Sequence, residues 1–206
     1  MEYKDIVPDY SEYAKLQKTT FCSHEITVPK WEEGQKIYIN ETFRDVNRKL
    51  KILDIACGDG VGLRSFKLLG FTDVIGVEFN EEKISKALES GYPVYQFDMH
   101  DLCIFPDNEF DIVYSSHTLE HAYFPETVLE EFKRILKPNG KLYVVLPYPD
   151  YGDSKAHGGK FTLGTDANDD GKKVVGFFSK DFKVIKKKYD SFREPEIWLE
   201  LQKEAE

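Results

Sequence analysis

Apolar positions along the chain fall into short runs separated by charged, helix-like stretches. Residues 51–56 (KILDIA) form an apolar run that ends at a glycine-rich turn. Residues 73–79 (DVIGVEF), 93–98 (PVYQFD), 110–116 (FDIVYSS) and 141–147 (KLYVVLP) repeat the pattern. Between them, residues 62–69 and the stretch EEKISKALES, ending at Gly91, read as helices. Residues 127–136 (TVLEEFKRIL) place Val128, Leu129, Phe132, Ile135 and Leu136 at helical spacing, and KPNG (137–140) stops that helix. Strand and helix alternate, and the strands are mostly apolar, as strands covered on both faces are. The expected fold class is α/β: a doubly wound, mostly parallel sheet, whose ligands sit at the carboxyl ends of its strands.

The flanks follow other patterns. DFKVIKKKYDSF and EIWLELQK, joined by REP, predict a C-terminal antiparallel hairpin that closes the sheet. Lys186, Lys187 and Lys188 in its first arm read as a solvated edge that resists aggregation. Residues 1–49 carry Tyr3, Tyr10, Tyr13, Phe21, Trp31, Tyr38 and Phe43 and are expected to be helical in part. Either plain packing or a lid over the strand ends accounts for so many aromatics.

Composition narrows the class. A chain of 206 residues with 41% apolar and 32% charged residues suits one domain with one sizeable core. No apolar run approaches the roughly 20 residues needed to span a bilayer. MEYKDIVPDY has no basic-then-apolar leader pattern, so a cytoplasmic setting without a membrane is expected. The net charge of −9 opposes a nucleic-acid partner. Three scattered cysteines, Cys22, Cys57 and Cys103, point to a reducing compartment.

The glycine-rich turn is LDIACGDGVG (53–62). In a Gly-x-Gly-x-x-Gly dinucleotide fingerprint begun at Gly58 and Gly60, the third glycine belongs at 63, which is Leu63. What fits is Asp-x-Ala-x-Gly-x-Gly, with Asp54 in the strand before the turn. Glu78 and Asp98 close the second and third strands. A pyrophosphate would be repelled by these carboxylates. A ligand with an ammonium, a sulfonium, a ribose and an adenine amino group would be favoured. S-adenosylmethionine has that inventory, with S-adenosylhomocysteine as its product.

ILDIACGDGVG, VIGVEFN, FDMHDLCIFPDNEFDIVYSSHTLEH and EEFKRILKPNGKLYVVLP together resemble the class I S-adenosylmethionine-dependent methyltransferases, above all the branch that methylates small molecules, quinone precursors and sugars. The resemblance covers about residues 50–147. With the flanks added, a single domain over 1–206 is expected: an N-terminal helical lid or cap (1–49), a cofactor-binding core (50–147), and a substrate-side loop with the closing hairpin (148–206). The resemblance implies that Asp54, Gly58 and Gly60 hold the methionine part of the cofactor, with Ala56 where the family usually has its first glycine. Glu78 would accept both ribose hydroxyls and Phe79 would lie against the adenine. Asp98 would accept the adenine amino hydrogen, with the Met99 amide beside the ring. Ser115, near the end of the fourth strand, counts among the cofactor-side residues.

HTLEH (117–121) has the His-x-x-Glu-His spacing of an inverted zinc-protease site. Such a site needs both histidines on one helix, whereas His117 ends the fourth strand. The resemblance implies a Leu-Glu-His after this strand in many members that bind no metal, and no metal is expected here. His117 stands where the transferred methyl should be and is the first candidate for a general base, with His157 in SKAHGGKF as the second. His121 and Tyr148 are candidates for the substrate side. DANDDG (166–171) matches the first half of a calcium loop, but Phe177 stands where the closing Glu belongs, so it reads as a solvated turn. The expected function is methyl transfer to an O or N atom of a small molecule. A macromolecular methyltransferase and a non-catalytic cofactor-binding subunit or sensor are the alternatives.

Overall fold

The computed structural model describes residues 9–20, 29–149, 169–192 and 195–205. Two helices, α1 (Tyr10–Thr20) and α2 (Pro29–Phe43), precede the sheet. Then β1 (Ile52–Ile55), α3 (Val61–Leu68), β2 (Val74–Glu78), α4 (Glu81–Leu88), β3 (Val94–Gln96) and β4 (Phe110–Ser116) alternate. A turn of 3-10 helix at Leu119–His121 leads to α5 (Pro125–Ile135) and β5 (Leu136–Pro147). The described chain closes with α6 (Lys172–Phe178), β6 (Lys183–Asp190) and β7 (Glu196–Gln202).

The seven strands lie in the order β3-β2-β1-β4-β5-β7-β6. β1 to β5 pair in parallel, and β7 runs antiparallel between β5 and β6. The order reverses between β1 and β4, which opens a crevice at their carboxyl ends. The sheet separates two apolar clusters. Leu53 and Ile55 of β1 join Val128, Phe132 and Ile135 of α5 and Phe178 of α6 on one face. Ile52 joins Tyr38, Ile39 and Phe43 of α2 and Phe66 of α3 on the other. Alternating burial along one strand thus serves both layers.

Local chemistry sets the turns that face the crevice. The Asn80 side chain caps α4 by accepting the Glu82 amide at 3.0 Å. Gly60 has φ +81°, and a β-carbon there would stand 2.8 Å from the Ala87 Cα of α4. A larger residue would force α3 and α4 apart.

Two elements depart from the sequence expectation. β5 begins at Leu136 rather than 141. Pro138 ends the helix, but Leu136 already pairs with Phe110 ahead of a register shift. α6 was not anticipated, because seven residues with a central glycine carry little periodic signal. The C-terminal hairpin forms as expected, with β6 at the sheet edge. Lys186 is exposed there, while Lys188 meets Glu41 at 2.9 Å and lies 4.0 Å over the Trp198 ring. No described helix is long and apolar enough to cross a membrane.

Candidate active site

The crevice holds a cavity whose lining includes Ala56, Glu78, Phe79, Asp98, Met99, His117 and His121. Seven of the candidate residues, from the ends of four strands, therefore meet around one space. α1 forms another wall through Tyr10, Tyr13, Gln17 and Lys18. Asp54, Gly58, Gly60, Ser115 and Tyr148 do not line it. His157, and Asp166 and Asn168 of DANDDG, lie outside the described residues.

Glu78 ends β2 and is 6% exposed. Its Oε2 accepts the Gly58 amide at 2.8 Å and its Oε1 accepts the Asn80 amide at 2.7 Å. The carboxylate therefore ties the glycine turn to the start of α4. A carboxylate offers roughly four acceptor sites, and these amides take one on each oxygen. Phe97 and Met99, partly buried, give an apolar slot beside it. Phe79 contributes a ring, one face of which lies 4.4 Å from Lys18 Nζ.

Asp98 is engaged from two sides. Its Oδ1 accepts the His100 amide at 2.9 Å and lies 2.6 Å from His100 Nδ1, while its Oδ2 accepts the Tyr10 hydroxyl. Burial pushes the Asp98 carboxyl up, but the hydrogen bonds from His100 and Tyr10 outweigh it and hold it below its ordinary value. Burial and then Asp98 push the Tyr10 hydroxyl up, so it stays protonated and donates.

Two of the remaining cofactor candidates, Asp54 and Ser115, are buried. Asp54 packs on the start of α3, so closely that a β-carbon on Gly62 would stand 2.4 Å from its Oδ2. Ser115 is buried in β4, and its hydroxyl has no hydrogen-bond partner among the described residues. Ala56 takes the left-handed conformation, with φ +50°, in the place of a glycine.

Beyond β4, His117 also has positive φ, +51°, which turns the chain sharply. Its Nε2 lies 2.9 Å from Glu196 Oε2 on β7, and its Nδ1 lies 3.5 Å from Glu120 Oε1. Glu120 Oε1 is also 3.9 Å from His121 Nε2. Burial pushes the Glu120 carboxyl up, but the hydrogen bond from His117 and the charges of His121 and His117 prevail and leave it lowered. The HTLEH segment thus folds as a carboxylate between two imidazoles. No group of three or more His, Cys, Asp or Glu residues arranged to hold a metal occurs among the described residues.

Tyr148 has a role away from the cavity. Its hydroxyl donates to Asp169 and accepts the Gly171 amide at 2.7 Å, which anchors the described end of DANDDG. Sequence reasoning assigned no role to Glu120, Glu196, Tyr10 or Lys18. Glu120 stood inside a quoted motif. The signal for Glu196 was a carboxylate two places before Trp198, at the head of a strand whose next three residues are apolar.

Residues 53–144 match the family described as "Methyltransferase domain". Phosphoethanolamine N-methyltransferase 3 of Arabidopsis thaliana is 30% identical over 52% of this chain and 24% of its own. A sterol 24-C-methyltransferase of Aspergillus fumigatus is 31% identical over 67% of this chain and 39% of its own. The ubiquinone biosynthesis O-methyltransferase of Pseudomonas syringae is 33% identical over 45% of this chain and 42% of its own. The chain therefore spans a quarter to two-fifths of the length of these relatives. Among solved structures, the cyclase SpnF superposes with a TM-score of 0.69 at 14% identity, covering 85% of this chain and 82% of that one. A SAM-dependent methyltransferase from Methanosarcina mazei superposes with a TM-score of 0.62 at 18% identity, covering 78% and 95%. At such identities the superpositions speak for the fold. Family match, curated relatives and strand order agree with a cavity at the switch point that carries Glu78 and Asp98: over residues 53–144 the chain is similar to a methyltransferase domain.

Proposed function

We propose that the chain transfers the methyl group of S-adenosylmethionine to an oxygen or nitrogen atom of a small molecule. The observation that carries this reading is Glu78, a buried carboxylate at the end of β2 that opens into the crevice while bracing the glycine turn. In that position it suits the ribose, and Asp98 and Met99 suit the adenine; the methionine part is assigned to Asp54, Gly58 and Gly60 on the resemblance, since these residues do not line the cavity. The bound cofactor supplies an activated methyl group. What remains for the protein is to align the acceptor, exclude water and take its proton.

α1 supports water exclusion, since it lines the cavity with two tyrosines. His117 supports proton removal, since it lines the same cavity and is backed by carboxylates. The named relatives act on phosphoethanolamine, sterols and a ubiquinone precursor, so they favour a small acceptor without choosing its chemistry. The net charge of −9 favours such an acceptor over nucleic acid. The described cysteines, Cys57 and Cys103, form no disulfide among the described residues, which is compatible with the cytoplasmic setting of this reading.

The test has two arms. Calorimetry with S-adenosylhomocysteine should show binding that Glu78→Ala weakens by about 1.5–3 kcal/mol, the range for hydrogen bonds to a charged group. Thermal melts of the variant separate that loss from slackening of the glycine turn. Incubation with S-adenosylmethionine and a panel of phenols and alkyl amines should release S-adenosylhomocysteine. Binding without release across the panel would favour the sensor alternative, and absence of binding would remove the cofactor assignment.

A further inference from the structure

Three donors converge on one carboxylate of the cavity wall, that of Asp98. Its Oδ1 accepts the His100 amide at 2.9 Å and lies 2.6 Å from His100 Nδ1. His100 Nε2 accepts the Phe124 amide at 3.3 Å, so the hydrogen of the neutral ring is on Nδ1, which donates to Asp98. Oδ2 accepts the hydroxyl of Tyr10, which comes from α1, 88 residues earlier. That hydroxyl oxygen also lies 3.1 Å from His100 Nδ1, and the two rings meet edge-on at a centroid distance of 5.1 Å. The three side chains form a closed set in which Asp98 only accepts. A carboxylate offers roughly four acceptor sites, and these bonds take both on Oδ1 and one on Oδ2.

We propose that Tyr10 and His100 are positioning residues that fix the purine specificity of the site: by donating to Asp98 they keep it an acceptor, which admits a 6-amino purine and rejects a 6-oxo purine. The proposal rests on the cofactor reading above, in which Asp98 meets the adenine. Adenine presents an amino group at position 6, a donor, where hypoxanthine presents a carbonyl oxygen, an acceptor. Between that oxygen and an ionised carboxylate there is no hydrogen to share. The 6-oxo purine is held only if Asp98 takes up a proton, and every hydrogen bond to the ionised form opposes that uptake. Burial favours the proton, yet the bonds from His100 and Tyr10 prevail and hold the carboxyl below its ordinary value. A site built around a hydrogen bond discriminates strongly against a ligand that leaves it unpaired. The two purines differ only in the 6-substituent and the N1 proton that goes with it. The other charged groups lining the cavity, Glu78, Lys18 and Lys83, therefore act on both and largely cancel in a ratio of affinities.

Comparing S-adenosylhomocysteine with S-inosylhomocysteine reads this out without knowledge of the methyl acceptor. Calorimetry on the full chain near neutral pH should show the adenosyl compound bound about fiftyfold more tightly, a ratio that one hydrogen bond to a charged group sustains. Asp98→Asn, whose amide donates as well as accepts, should bring the ratio near one. Tyr10→Phe keeps the ring and removes one donor, so the ratio should fall about tenfold as protonation of Asp98 becomes easier. His100→Ala removes another donor and should move the ratio the same way. It serves alone if Tyr10→Phe fails to fold. A role confined to docking α1 would weaken both ligands together and leave the ratio where it was. A ratio unmoved in both variants overturns the proposal and leaves the cofactor reading standing. A wild-type ratio near one overturns it as well, by removing Asp98 from the purine. A wild-type chain that binds neither compound removes the cofactor reading, and the proposal with it.

Discussion

Ala56 shows how a single residue can be tolerated without being favoured. Its φ of +50° lies in the region where a β-carbon crowds the following carbonyl, at a cost of roughly 1–2 kcal/mol. The residue is exposed at the cavity wall, so its methyl buries little that would compensate. Ala56→Gly should therefore stabilise the fold by up to about 1 kcal/mol, once the glycine's extra chain entropy is deducted. The readout is a higher urea midpoint with an unchanged slope. A lower midpoint would mean that the methyl packs in a way the backbone does not reveal. At this same scale the site was half legible. Glu78, Phe79, Asp98 and Met99 announced themselves because strand ends and sequence neighbours coincide there. Glu196 and Tyr10 did not, because they reach their partners across 79 and 88 residues, and only the folded sheet brings them close.

Among the elements, α1 is the one whose attachment depends most on the site. Its apolar residues Tyr10, Tyr13 and Leu16 pack with Tyr123 in a small cluster apart from the two main ones. Its polar ties run to residues at the cavity: the Tyr10 hydroxyl to Asp98, the Tyr13 hydroxyl to the His121 carbonyl, and the Lys18 carbonyl to Asn80 Nδ2 at 3.3 Å. Elements with little buried apolar surface open locally before the rest unfolds. Tyr10→Phe removes one charge-assisted hydrogen bond and keeps the ring, so opening of α1 should become about tenfold or more easier. Limited trypsin digestion at Lys15 and Lys18 would report it as faster cleavage, with the sheet still intact. Equal cleavage of variant and wild type would show that the hydroxyl contributes nothing to docking. The strands from β1 to β5 were readable from apolar runs between turns. The boundary of β5 and the existence of α6 were not, because pairing with Phe110 and packing of Phe178 into the core decide them, and neither leaves a local periodic trace.

Across the whole molecule, lowered carboxyl groups make stability sensitive to acid. Asp98, Glu120 and Glu131 all lie below their ordinary values. For Glu131 the main cause is Arg134, whose Nε and Nη2 meet its two oxygens at 2.7 and 2.8 Å. A group that is more acidic folded than unfolded contributes fully above its unfolded value and loses that contribution as pH falls through the folded one. Melting temperature should thus hold steady through neutrality and fall below about pH 4, the ordinary carboxyl range. Glu131→Gln should flatten that fall, and an acid limb identical to wild type would exclude Glu131 from it.

The place of β7 in the sheet also dictates an order of events on the ribosome. β5 is made before β6, and β6 before β7, yet β7 is the strand that fits between them. Until residue 202 has left the exit tunnel, β5 has one open edge and β6 has no neighbour to join. The apolar run of β5 stays exposed to other nascent chains for the time needed to add more than fifty residues, several seconds at roughly 5–20 residues per second. Glu196 arrives with the same strand, so His117 waits as long for its partner. A polypeptide interrupted during synthesis would carry the matched domain in full and still lack both the closed sheet and the ordered histidine.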